Sequence, residues 1–225
     1  MFTGKYSLLK GQQSMALERI AVITGDVISS KTVATEAWLT QLKSVLNGLG
    51  QEPQNWQIYR GDSFQLEIAS AETVLEAALL IKATLKTVKG IDVRMGIGIG
   101  TKSYAATQVT ESNGEAFVYS GEAFESLAKQ KMTMAIKSPW PEFDEEINVL
   151  LKLALTFMDK WLVNYAEVIR ASLLHKTLSQ KELGAKMHIA QNTVSDRQSR
   201  AHKEEVLAFE RLFRKKITQY MGLQD

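Results

Sequence analysis

Ile20-Ala21-Val22-Ile23-Thr24-Gly25-Asp26-Val27 is an apolar run that closes on a Gly-Asp pair, and a second such pair, Gly61-Asp62, follows in the stretch Trp56 to Ile68. The β-branched first run predicts a strand whose end lies near Asp26. Around the second pair, Trp56-Gln57-Ile58-Tyr59-Arg60 and Ser63-Phe64-Gln65-Leu66-Glu67-Ile68 predict a hairpin with Gly61-Asp62 in its tight turn. A hairpin tip folded beside an earlier strand end brings two carboxylates together. Carboxylates that converge with no basic residue between them repel, unless a divalent cation or a proton intervenes. The pair therefore points to a Mg²⁺-nucleotide site. A plainer account stands beside it: Asp62 as a turn residue, and Asp26 as a cap on the segment that follows.

Working outward, strand and helix signals alternate up to about Lys137. Ala37, Trp38, Leu42, Val45, Leu46 and Leu49 recur at helical spacing over Ala34 to Leu49, with Gly50 at the end. A second amphipathic helix is predicted over Ala71 to Val88, with Ser70 as N-cap. Val93-Arg94-Met95-Gly96-Ile97-Gly98-Ile99-Gly100 predicts a strand whose alternating glycines leave one face bare for close approach by another backbone or a ligand. A third helix over Gly121 to Lys131 and a last strand over Met132 to Ile136 complete the region. The β-α-β-β-α-β order predicts a ferredoxin-like α+β domain, one sheet face lying under two helices.

Two of the three prolines fall in Ser138-Pro139-Trp140-Pro141, which stops the last strand and marks a boundary. Beyond it only helices are predicted: Glu142 to Met158, Lys160 to Leu174, Ser179 to Lys186, Gln191 to about His202, and Glu204 to Tyr220. The expected organisation is a flexible arm over 1–17, an α+β domain over 18–141, and an all-α domain over 142–225.

Composition narrows the chemistry. The chain has no Cys, which removes disulfides, thiolate metal sites and cysteine nucleophiles. Its three His, all in the C-terminal third, do not make a His-rich zinc site. No apolar run approaches the about 18 residues needed to span a bilayer, and Met1 to Ser14 lacks a signal-peptide apolar core. No membrane partner and a cytoplasmic location are the expectation. Overall charge is nearly balanced at +2, but Arg170 to Lys216 holds 11 Lys/Arg against 5 Asp/Glu. Such a basic stretch can face nucleic acid.

The blocks Ile23-Thr24-Gly25-Asp26-Val27, Arg60-Gly61-Asp62-Ser63-Phe64, Val93-Arg94-Met95-Gly96-Ile97-Gly98 and Val118-Tyr119-Ser120-Gly121-Glu122-Ala123 resemble, in that order, the class III nucleotidyl cyclase palm. The same palm underlies GGDEF synthases and CRISPR polymerases. Palm and helical tail together look most like the SatD-like family. The resemblance implies that Asp26 and Asp62 hold one or two Mg²⁺ (or Mn²⁺) ions, with the carbonyl of Val27 as a further ligand. Ser29, Ser30 and Lys31 follow the first strand, where hydroxyls, N–H groups and a cation could cradle the phosphates of a nucleoside triphosphate or cyclic nucleotide. The cyclases' catalytic Asn and Arg fall here on Glu125 and Lys129. Lys129 can neutralise charge only as a point cation, so both departures count against turnover while metal-nucleotide binding survives them.

Ser179 to Ser195 resembles a helix-turn-helix, placed at about 179–202. Ser179 and Glu182 form a capping box, Leu183, Met187, Ile189 and Val194 supply a small core, and His188 takes the turn, where a left-handed backbone is tolerable for His. The second helix offers Gln191, Asn192, Thr193, Ser195, Arg197 and Arg200 to DNA bases and phosphates. Asp196, a carboxylate near phosphates, favours instead a helical hairpin that serves dimerisation.

The expectation drawn from these parts is a homodimeric DNA-binding transcriptional regulator whose palm senses Mg-nucleotide. A metal-dependent nucleotidyl cyclase or cyclic-oligonucleotide synthase with a helical targeting tail is the alternative, and an inactive structural dimer the second.

Overall fold

The computed structural model describes residues 19–222, so the expected N-terminal arm lies outside the described residues. Five strands form one sheet: β1 (Arg19–Ile28), β2 (Trp56–Tyr59), β3 (Ser63–Ile68), β4 (Asp92–Thr101) and β5 (Met134–Lys137). Their order is β2-β3-β1-β4-β5, with every pairing antiparallel except β4 with β5. Eight helices accompany them: α1 (Thr35–Leu49), α2 (Val74–Leu85), α3 (Glu115–Gln130), α4 (Pro141–Met158), α5 (Val163–Leu174), α6 (Gln180–Met187), α7 (Gln191–Arg200) and α8 (Lys203–Gly222). The chain is thus a mixed α+β protein.

Period-two alternation divides the sheet into two faces. Ala21, Ile23 and Val27 of β1, Phe64 and Leu66 of β3, and Val93, Met95 and Ile97 of β4 share a core with Trp38 and Leu42 of α1 and Leu75 and Leu79 of α2. On the opposite face, Ile20 and Val22 pack against Val109, Ala116 and Phe117. Both faces therefore carry helices, because α3 covers the glycine side of β4. Close approach is the reason: a Cβ on Gly98 would lie 2.1 Å from the carbonyl oxygen of Ala116. The bare strip of β4 receives a helix backbone, not a ligand.

Several boundaries differ from expectation. β1 continues through Ile28, because Val27 and Ile28 pair with Val93 and Asp92, so Asp26 sits inside the strand and not at its end. α3 starts at Glu115, six residues before Gly121, with Gly114 (φ 146°) as its N-cap. The Val118-Tyr119-Ser120 block is consequently helical. Ala71–Thr73 is a 3-10 turn ahead of α2, and the Ser70 side chain caps nothing.

Pro141 stands at the first position of α4, where its missing N–H costs no hydrogen bond. The core nevertheless runs past this proline: Phe143, Ile147 and Leu151 of α4 and Phe213 and Ile217 of α8 belong to the same cluster as the strand residues. A buried polar knot adds to that junction. Lys82 Nζ lies 2.8 Å from Asp92 Oδ1 and 2.7 Å from Asp159 Oδ1, at the end of α4. Lys86 donates to Asp92 Oδ2 at 3.0 Å and to the Asp159 carbonyl at 2.7 Å. Only a small satellite cluster, Val168, Leu183 and Val194 with Ala171, Met187 and Ile189, belongs to α5–α7 alone.

Candidate functional site

Register assembles the first candidate site. Tyr59 pairs with Ser63, Ser63 with Asp26, and Asp26 with Arg94, so one row crosses four strands. Asp26 and Arg94 share the α3 face with Thr24 and Gly96, because side chains two residues apart along a strand point the same way. The β2–β3 turn reaches this row through positive φ at Arg60 (52°) and Gly61 (91°). Val27 N–H donates to the Asp62 carbonyl at 3.1 Å, which fastens the hairpin tip to β1.

Both expected carboxylates are thereby near the same strand end, but not uncompensated. Arg94 forks onto Asp26, Nε to Oδ1 at 2.9 Å and Nη2 to Oδ2 at 2.5 Å. The absence of a basic residue, assumed from sequence, is corrected by this pairing. The cause is register, which lays Arg94 of β4 directly beside Asp26. Arg94 is held protonated first by its hydrogen bonds to Asp26, against partial burial, with the charges of Asp26 and Asp62 adding to the effect. Burial pushes the Tyr59 phenol up; Arg60 opposes that and Asp26 reinforces it. Arg94 and Tyr59 are site residues that sequence reasoning missed. For Arg94 a signal existed, since it alternates in phase with Gly96 and Gly98, but it needed the β1–β4 register to be read.

Ser30 donates its hydroxyl to Asp62 Oδ2 at 2.6 Å and is itself buried, its carbonyl accepting from Trp38 Nε1 at 3.2 Å. Ser29 (φ 63°) and Lys31 are exposed in the turn closed by Thr32 N–H on the Ser29 carbonyl at 2.9 Å. Of the three expected phosphate-cradling residues, Ser30 joins the aspartates and the other two face solvent. Lys129 is exposed in the last turn of α3, and no hydrogen bond or ion pair among the described residues joins it or Glu125 to Asp26, Asp62 or Arg94. Thr24 Oγ1 and Ser120 Oγ share a hydrogen bond at 2.9 Å, which pins α3 beside the row.

Asp26 and Asp62 carboxylates, the Val27 carbonyl and the Ser30 hydroxyl are all hard oxygen donors, the kind Mg²⁺ or Mn²⁺ takes. Among the described residues no group of three or more His, Cys, Asp and Glu could hold a metal ion, so a cation here would need oxygens beyond side-chain carboxylates. Phosphate oxygens are of that type.

The second candidate site lies on α6 and α7. Ser179 and Glu182 make the expected reciprocal capping box, and His188 ends α6 in the left-handed region at φ 56°. Gly184 permits the tight turn: a Cβ there would lie 2.7 Å from the Ile189 carbonyl. Gln191, Asn192, Ser195, Asp196 and Arg200 are exposed along one side of α7, while Val194 and Gln198 face inward. Thr193 is half-buried, its N–H bonded to Asn192 Oδ1 at 2.9 Å. Arg197 turns toward α5, its Nη1 3.6 Å from Glu167 Oε2. Arg200 donates to Asp196 Oδ1 at 2.9 Å, neutralising the carboxylate that argued against a nucleic-acid face. Gln198 was overlooked in the sequence; it bridges Gln180 and Ser172 at 2.9 and 3.0 Å.

Compared with known protein families, residues 19–206 match the SatD family. The chain belongs to the SatD family. The match begins at β1 and ends inside α8, so both candidate sites of this SatD-family chain lie within the family's own extent. Among curated proteins no match was found. No helix among the described residues of this SatD-family protein is long and apolar enough to cross a membrane.

Proposed function

We propose that this SatD-family chain is a DNA-binding transcriptional regulator whose sheet domain senses Mg-nucleotide. The observation that carries the reading is the α6–α7 pair. A capped first helix, a left-handed His188 turn and a glycine-permitted crossing present a second helix with its polar side outward. In such a helix-turn-helix the second helix enters the major groove with its N-terminal residues on base edges. Gln191 and Asn192 are at that end and suit adenine; Ser195 and Arg200 suit phosphate.

DNA binding is tested by fluorescence anisotropy against fragmented source DNA over a salt series. The double variant Gln191→Ala with Asn192→Ala is expected to bind about ten-fold more weakly or worse. Arg200→Ala should reduce the salt slope by about one. Arg197→Ala should do less, because its guanidinium is turned to Glu167. Binding that is salt-insensitive and equal in all variants would end the reading.

For the sensor, β1-α1-β2-β3-α2-β4 is taken as a ferredoxin-like palm, with Asp26, Asp62 and the Val27 carbonyl as oxygen ligands and Ser30 orienting Asp62. A bound metal would supply charge neutralisation for nucleotide phosphates. Asp26→Ala and Asp62→Ala are each expected to abolish a thermal shift produced by Mg-nucleotide; an unchanged shift would remove the sensor. Coupling between the two sites must be reciprocal, so DNA should alter nucleotide affinity by the same factor that nucleotide alters DNA affinity.

The enzyme reading rests on the same paired carboxylates, since phosphoryl transfer asks chiefly for metal and positioning. Pyrophosphate released from a nucleoside triphosphate with Mg²⁺ or Mn²⁺ would convert the sensor into a cyclase or synthase. The exposed positions of Glu125 and Lys129, joined to neither aspartate among the described residues, weigh against it.

A further inference from the structure

We infer that Arg94 gates the Asp26–Asp62 site: its guanidinium holds Asp26 against a free divalent cation and is drawn off by the phosphates of a nucleotide, so metal and nucleotide enter together. This rests on reading Asp26 and Asp62 as metal ligands. The fork takes both oxygens of Asp26, at 2.9 and 2.5 Å. A cation approaching that carboxylate alone meets a positive charge already in place. Asp62 is not guarded in the same way, since its carboxylate accepts from a neutral hydroxyl, Ser30 Oγ at 2.6 Å. A free ion therefore finds one open ligand and one closed.

The gate is able to move. The Arg94 side chain is 43% exposed while that of Asp26 is 18% exposed, so the guanidinium can swing into solvent while the carboxylate stays. Leaving Asp26 costs Arg94 a charge-assisted pair, which a phosphate restores, because it presents two oxygens at the spacing of the guanidinium fork. Charge balance runs the same way. Two carboxylates and one guanidinium carry one net negative charge; a divalent cation alone reverses it, and a polyphosphate brings it back down. Arg94 is thus a positioning residue for the cation and a ligand for the anion.

The test uses the full chain and two titrations. In the first, Mn²⁺ alone is followed by the electron paramagnetic resonance signal of the free ion. In the second, Mn·ATP and Mn·GTP are titrated separately by calorimetry. Relative to wild type, Arg94→Gln is expected to bind Mn²⁺ alone about ten-fold more tightly and the Mn-nucleotide about ten-fold more weakly. Arg94→Lys, which keeps the charge without the fork, should stay near wild type for Mn²⁺ alone and lose nucleotide affinity. If wild type takes up Mn-nucleotide but Arg94→Gln binds Mn²⁺ alone no better, the gate is wrong and the metal site stands. If neither protein takes up Mn²⁺ in either titration, the metal reading falls and the gate with it. Unchanged far-UV circular dichroism in the variants keeps the comparison on the site and off folding.

Discussion

Replacing Gly98 with alanine is expected to lower stability by about 3 kcal/mol, the upper end for inserting a methyl group into a packed core. The added Cβ would sit 2.1 Å from the Ala116 carbonyl oxygen and 2.2 Å from the Ser120 N–H nitrogen. Both are backbone atoms of α3, so no rotamer change relieves the clash and the helix itself must lift. Lifting α3 would also break the Thr24–Ser120 hydrogen bond at 2.9 Å, two residues along β1 from Asp26. Urea unfolding followed by circular dichroism measures the loss. Gly121→Ala is the matched control, since a Cβ there meets open space and helix propensity would raise stability by up to about 1 kcal/mol. A Gly98→Ala loss under about 1 kcal/mol would mean that α3 rides loosely on the sheet.

Lys82→Ala is expected to cost about 3 kcal/mol, the lower end for removing one partner from a buried ion cluster. Lys82 has no exposed side-chain surface and serves Asp92 and Asp159 at once. Two features hold the cost at that lower end. Lys86 stays on Asp92 at 3.0 Å, and the Asp159 side chain retains 35% exposure. The cluster fastens α2 and β4 to the end of α4, so the variant should also loosen the helical half from the sheet. Adding Asp159→Asn to Lys82→Ala should recover part of the loss, because it removes a carboxylate left without its lysine. A single-variant loss below about 1 kcal/mol in urea, or no recovery in the double variant, would contradict this account of the cluster.

The Lys82 cluster bears on how rigidly the sheet and the C-terminal helices are joined. The coupling proposed between the candidate sites would act across this junction, through packed elements with discrete arrangements. Ile169 and Leu173 of α5 share one core with Leu75 and Leu79 of α2. Arg170 Nη1 reaches Gln41 Oε1 at 3.2 Å, and Arg214 and Lys176 both pair with Glu76 of α2.

Local chemistry made much of this legible. Alternating apolar residues in Ser63 to Ile68 and the helical spacing in Ala34 to Leu49 report burial on one face, so the hairpin and the first helix could be drawn from residues alone. The capping box at Ser179 and the left-handed His188 likewise follow from a few neighbouring residues. Gly121 misled, because a glycine tolerated inside a helix looks the same as one at its start. Arg94 could not be paired with Asp26 by any local rule: they are 68 residues apart, and only the alignment of β1 with β4 makes them neighbours. The same holds for Lys82 with Asp159 and for α3 on the glycine strip of β4. Short-range patterns specify each element because propensity and periodicity act within a few residues. Charge pairing and close packing act through space, and they are decided when the elements come together.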